Sequence, residues 1–426
     1  MTTSKPQQPK MSAGARALAL SVTVAVAASL GAVGRTTLRD ELVAPLQAQA
    51  PKIEPPFKPI PVDPGATSVQ PQLVQASEFI RANDTRSKFK VDGDGVTVAV
   101  LDSGIFAGHV DFGEGARIIA VRNFTSENAG VAANVTDVYG HGTHVAGIIG
   151  ANGTNLGIAP KVRFVVAKVL DNTGGGSFEA IRDGLDWVIK NADAQKISVV
   201  NISIGAFRNF TDDNALSGPI GSVGPQIRER LQQLRKRNIA VVVAAGNAYG
   251  VDQKPGMDFP AICRETVSAG AVFDAAGGAL PPFRPNAVAH SRKPGQITPF
   301  SQRLHESVNS VLRTDIFAPG SPITSSGLGA KDAQSTQNGT SQAAPITAGV
   351  IALMQQLHRV KHPNALPSVD DIEKWLREGS MPEFDGDNED DNVTHTKKEY
   401  RRIDALKALE AVAQANNTPQ QPAQSR

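Results

Sequence analysis

The feature that most restricts the fold is a set of short, apolar runs rich in valine and isoleucine at residues 96–101 (VTVAVL), 164–169, 197–202, 239–245 and 266–271. Their apolar residues are largely consecutive and do not alternate with polar ones, so each run suits a strand buried on both faces. Segments with helical spacing lie between them. Ser177 can cap a helix whose Phe178, Ile181, Leu185, Val188 and Ile189 share one face. Residues 223–237 set Ile227, Leu231 and Leu234 against an otherwise charged surface. Buried strands alternating with helices predict an α/β fold: a three-layer, doubly wound domain around a mostly parallel central sheet. Sheets of this kind collect their functional groups at the carboxyl ends of the strands.

The rest of the 426 residues divides around that pattern. Lys10 and Arg16 precede an uncharged stretch at 17–34, rich in Ala and Gly, and Arg35 follows. A basic segment followed by an apolar one reads as an export signal peptide or a retained N-terminal anchor over residues 1–35. The expected location is therefore secreted or extracytoplasmic, with membrane contact only through such an anchor. Residues 36–77, rich in Pro, Gln and Ala, read as a linker or short pro-segment, residues 78–414 as the folded domain, and 415–426 as a disordered tail. Lys+Arg 43 against Asp+Glu 41 gives no global field, so nucleic acid is not an expected partner. The single cysteine, Cys263, excludes an internal disulfide and multi-cysteine metal sites, and reads as an inert, partly buried thiol.

Four segments carry groups with chemistry to offer. The run at 96–101 leads into Asp102-Ser103-Gly104, either an acid at a strand's carboxyl end or a plain turn. Gly140-His141-Gly142-Thr143-His144 sets a histidine between glycines at a helix start, which fits a general base that substrate backbone must approach closely. Two histidines three apart could instead ligate a metal, although no third ligand has a recognisable spacing. Asn338-Gly339-Thr340-Ser341 leads into an apolar helix, so Ser341 reads as an N-cap or as a nucleophile beside free N–H groups. Pro345 falls in the first turn of that helix, where its missing N–H is tolerated. Ala244-Ala245-Gly246-Asn247 closes the run at 239–245 with an asparagine that either makes a turn or donates to a developing oxyanion.

In order, spacing and flanks, Asp102, His141, Asn247 and Ser341 resemble the subtilisin-like (subtilase) serine peptidases over residues 78–414. Smaller landmarks agree, among them Gly157-Ile158-Ala159-Pro160, Phe259-Pro260-Ala261 and Phe317-Ala318-Pro319-Gly320. The resemblance implies a subtilisin-like fold and a serine endopeptidase that hydrolyses peptide bonds through an acyl-enzyme. It implies that Ser341 attacks the scissile carbonyl, His141 carries the proton, Asp102 orients the imidazole, and Asn247 with the Ser341 N–H holds the oxyanion. Substrate would add as a β-strand along Ser203, Ile204 and Gly205, with Ala244, Ala245 and Gly246 forming the opposite wall of the specificity pocket. The partner is then a protein or peptide; the chemistry needs no cofactor, and a structural calcium is an option with no ligands assigned. The alternatives are a catalytically silent binding module of the same fold, or an esterase or peptide ligase that uses the same acyl-enzyme.

Several positions depart from the family pattern. Gln342 follows Ser341 where most relatives carry Met. The region before the domain is too short for a folded pro-domain, and the loop at 150–157 is too poor in carboxylates for a tight calcium site. The alternating acids from Asp385 to Asp391 are either a solvated loop or ligands for a hard cation. Asp258 is either a surface acid or lies near the floor of the specificity pocket, where it would favour Lys or Arg in the substrate.

Overall fold

All five apolar runs form strands, buried throughout except at Arg163. The computed structural model describes residues 60–61, 73–214, 220–283 and 286–417, which lie in the unit Gln49–Arg426. In chain order, β1 (Ile60–Pro61) is followed by α1 (Leu73–Phe79), α2 (Ala82–Phe89), β2 (Thr97–Asp102), β3 (Ile118–Asn123) and α3 (His141–Gly150). Then come β4 (Arg163–Lys168), α4 (Phe178–Gln195), β5 (Ile197–Ile202), α5 (Val223–Lys236), β6 (Ala240–Ala244) and the short α6 (Tyr249–Asp252). β7 (Val267–Phe273) precedes the small pair β8 (Gly277–Gly278) and β9 (Ser291–Arg292). The chain continues through β10 (Ile316–Ser321), β11 (Ile323–Ser326), β12 (Gln334–Gln337) and α7 (Thr340–Arg359). It closes with α8 (Val369–Glu378), β13 (Met381–Phe384), β14 (Glu399–Arg402) and α9 (Ala405–Asn417).

Nine strands make one sheet in the order β13-β14-β10-β7-β6-β5-β2-β4-β3. Each neighbouring pair is parallel except β13 with β14. The strand order reverses at β2, which lies between β4 and β5, and an open α/β sheet leaves a crevice at such a switch point. Asp102, the last residue of β2, stands at its carboxyl edge. The pleat divides β2 between two layers. Val98 and Val100 enter one core with residues of α3, α7, α8 and α9, while Ala99 and Leu101 enter the other with α4 and α5. A strand that serves two cores must be apolar at successive positions, which is why this run lacks alternation. The three-layer α/β architecture expected from the sequence is the one observed.

The cap read from the sequence at Ser177 is in place, and the structure adds a second at Ser368. The Ser177 side chain accepts from the Ala180 N–H at the start of α4, and Ser368 accepts from the Asp371 N–H at the start of α8. The expectation for Pro345 needs amending. In an α-helix its N–H would reach the Ser341 carbonyl, so the bond is missing within the first turns of α7. The Ser203 hydroxyl replaces it, donating to that carbonyl at 2.8 Å.

Candidate active site

Asp102 and His141 come from different elements and meet at the switch point. Asp102 is fully buried and His141 1% exposed. Asp102 Oδ1 accepts from the Ser103 N–H at 2.7 Å and lies 2.7 Å from His141 Nδ1. His141 opens α3 directly after Gly140, whose φ of 92° is a left-handed conformation that favours glycine. The following Gly142 is required by contact: a Cβ built there would collide with the Gly104 carbonyl. The start of α3 thus packs backbone to backbone against the turn after β2.

Asp137 ties these two segments together, and nothing in its local sequence announces it. Its Oδ1 accepts from the Ser103 hydroxyl at 2.9 Å and the Gly140 N–H at 2.8 Å. Its Oδ2 accepts from the Thr143 N–H at 2.9 Å and hydroxyl at 2.7 Å. The Ser103 hydroxyl in turn accepts from the Gly142 N–H at 2.9 Å. One carboxylate therefore satisfies free amides at the start of α3 and fixes the turn that follows Asp102. From β4, the fully buried Lys168 donates to the Ser103 carbonyl at 2.6 Å. Burial lowers the Lys168 pKa, and the nearby carboxylates of Asp137, Glu127 and Asp102 oppose that shift.

Ser341 lies in the first turn of α7. Its hydroxyl donates to the Ser203 carbonyl at 3.1 Å, and His141 Nε2 has no hydrogen-bond partner among the described residues. A hydrogen bond between a hydroxyl nucleophile and its base often tightens only once substrate is bound. Asn247 follows the end of β6. Its Oδ1 accepts from the Thr340 N–H at 2.8 Å and hydroxyl at 2.9 Å, and the Thr340 hydroxyl accepts from the Gly246 N–H at 3.0 Å. That arrangement fixes which way the amide points and leaves Nδ2 to donate elsewhere.

A cavity adjoins Ser341. It is lined by Ser203, Ile204 and Gly205 just beyond β5 and by Ala244 and Gly246 at the end of β6. Asn247, Phe207 and Asp258 also line it. Ala245, expected on this wall, is fully buried: its N–H donates to Ala269 and its carbonyl accepts from the Asp258 N–H. Asp258 is 1% exposed and is not a surface acid. Burial pushes its pKa up to about 7, against the opposing effect of four backbone N–H donors.

Other candidates have structural surroundings. His144 is fully buried with Nε2 3.0 Å from the Ile323 carbonyl, and burial together with the His141 charge lowers its pKa to about 3. Among the described residues, neither His141 nor His144 belongs to a cluster of three or more side chains able to hold a metal. Cys263 is buried, and burial pushes its thiol up. The loop from Asp385 brings ligand atoms of Asp385, Glu389 and His395 within 4.8 Å of one another. His395 Nδ1 is 3.0 Å from Asp385 Oδ1, and Nε2 is 3.2 Å from Asp391 Oδ1. Those two acids raise the His395 pKa to about 9. Asp385 also meets the buried Arg303, whose Nε is 3.2 Å from its Oδ2.

Comparison with known proteins agrees with this geometry. The profile of the Subtilase family matches residues 93–390. The chain is 32% identical over 328 residues to the intracellular serine protease of Paenibacillus polymyxa, covering 74% of this chain and 84% of that protein. It is 30% identical over 289 residues to the major intracellular serine protease of Bacillus subtilis (strain 168), covering 67% and 75% respectively. A subtilisin-like protease 2 from Arthroderma otae (strain ATCC MYA-4605 / CBS 113480) is 32% identical over 277 residues, 64% of this chain and 53% of that protein.

These relatives correct one expectation. A secreted or membrane-anchored location was expected from the N-terminal stretch, but two of the most similar proteins are named intracellular serine proteases. The stretch at 17–34 is built largely of Ala, Gly and Val, and such weak hydrophobicity does not by itself specify export. It lies outside the described residues. Among the described residues, no helix is long and apolar enough to cross a membrane.

Proposed function

The chain belongs to the subtilase family of serine endopeptidases, and from that premise we propose that Asp102, His141 and Ser341 are its catalytic triad and Asn247 its oxyanion donor. The observation that carries this reading is the buried 2.7 Å contact between Asp102 Oδ1 and His141 Nδ1. A carboxylate there holds the proton on Nδ1 and leaves Nε2 as the acceptor.

Substrate laid as a strand along Ser203, Ile204 and Gly205 offers backbone N–H groups to the Ser203 carbonyl. They compete with the Ser341 hydroxyl for that carbonyl and release it toward Nε2. Ser341 Oγ then attacks the scissile carbonyl as its proton passes to His141. The oxyanion accepts from Asn247 Nδ2 and from the Ser341 N–H, which belongs to the unpaired first turn of α7. His141 returns the proton to the departing amine, and water hydrolyses the acyl-enzyme by the same route.

Subtilases need no cofactor for this chemistry. We read the acidic loop as an internal charge network and not as a calcium site, because the cationic His395 already stands between Asp385 and Asp391.

Casein hydrolysis by the full chain tests the assignment. Ser341→Ala and His141→Ala should each lower kcat by about 10⁴-fold or more, with unchanged circular dichroism. Activity retained in either variant would overturn it, and turnover of a small ester without casein cleavage would favour the esterase reading.

A further inference from the structure

Asp258 is the one ionisable side chain among the described residues that line the cavity beside Ser341. Four backbone N–H groups fix its carboxylate. Among the described residues, Oδ1 accepts from the N–H groups of Ala206 at 2.9 Å, Arg208 at 3.3 Å and Phe259 at 2.8 Å, while Oδ2 accepts only from that of Phe207 at 2.9 Å. An ionised carboxylate has about four lone-pair sites, two on each oxygen. Oδ1 is therefore saturated, and Oδ2 keeps an acceptor direction.

Oδ2 faces the strand that would receive substrate. A Cβ built on Gly205 would collide with it, and one built on Gly246 would collide with Gln302 Oε1 and lie 2.7 Å from the Asp258 Cβ. Both walls lack a side chain at the level of Asp258, whose carboxylate lies against Gly205 and whose Cβ lies near Gly246. Ile204 and Ala244 provide apolar lining nearby.

The largest influences on Asp258 are its burial and those four N–H donors. An ionised carboxylate withdrawn from water without a counter-ion is costly unless a cation is brought to it. We propose that Asp258 makes this pocket select a lysine or arginine side chain in the substrate residue whose carbonyl Ser341 attacks, a specificity that rests on the serine-peptidase reading of the same site. The long stem packs on the apolar lining and its charged end completes Oδ2. An acidic residue is excluded by like charge, and a large apolar one leaves the carboxylate buried and unpaired.

The test is kcat/KM on peptides that differ only at that residue, for the full chain and for Asp258→Asn. The wild type should favour Lys or Arg over Leu by roughly 100-fold, and the variant should lose most of that ratio. Benzamidine should inhibit the wild type competitively, and benzamide, its uncharged isostere, should not; this arm holds even where the variant fails to fold. Equal cleavage after Leu and Lys, a preference that survives in Asp258→Asn, or equal inhibition by the two probes would overturn the proposal. Failure to cleave any peptide would instead strike at the peptidase reading.

Discussion

At the scale of single residues, the site depends on side chains whose orientation is set by a neighbour. In the proposed oxyanion role, Asn247 relies on its Oδ1 being engaged by the Thr340 N–H and hydroxyl. The amide is therefore oriented before substrate arrives, so no reorganisation accompanies the reaction. Asn247→Ala should lower kcat by about 10²–10³-fold, the range found for oxyanion donors in this enzyme class, with little change in KM. Steady-state kinetics on one peptide checks this, and a loss confined to KM would assign Asn247 to ground-state binding. Gln342 replaces the common Met beside Ser341 and is buried. It removes an oxidisable sulfur from that position without entering the chemistry.

At the scale of elements, two acids hold separate segments together. Asp137 joins the start of α3 to the turn after β2, so the distance between His141 and Asp102 is fixed by a third residue. Asp385 joins the β13–β14 connection to Arg303, whose guanidinium lies 3.8 Å from the centre of the Tyr249 ring, two residues after Asn247. His395 completes this second network, and its effect on stability depends on pH. Its pKa is raised from 6.5 to about 9 by Asp385 and Asp391, so its contribution is complete below pH 6.5 and fades as pH rises through about 9. Asp385 is held at about 2: its burial works against ionisation, but Arg303, His395 and Thr396 outweigh it. Its contribution is present above pH 3.8 and is lost as pH falls through about 2. The full His395 shift would be worth about 3 kcal/mol, and its partial exposure reduces that to about 1–2 kcal/mol. Thermal unfolding of His395→Gln should show that loss at pH 6 and almost none at pH 10. Equal destabilisation at both pH values would mean that His395 acts by packing and not by charge.

At the scale of the whole molecule, the sequence revealed what depends on neighbours along the chain. Burial of β2 on both faces, the Ser177 cap, and the settings of Asp102, His141 and Ser341 were all legible because each is written within a few residues. The edge strands were not: the short apolar run at the start of β3 is half-exposed and gives way to Arg122 and Asn123, and β13 and β14 are four residues long with charged residues among them. Asp137 and Lys168 were invisible for another reason. Their partner Ser103 lies 34 and 65 residues away, and only the β2–β4 register and the approach of α3 bring them to it. Asp258 stood open between surface and pocket because its burial depends on glycines 205 and 246 in other segments.

The central claim is that Ser341, oriented at the start of α7 and served by the Asp102–His141 pair, is the nucleophile of this peptidase. Mapping the adduct of a fluorophosphonate by peptide mass spectrometry tests it most directly. One adduct per chain, on Ser341 and absent in His141→Ala, is the predicted result; labelling of another serine, or equal labelling of Ser341 without His141, would contradict it.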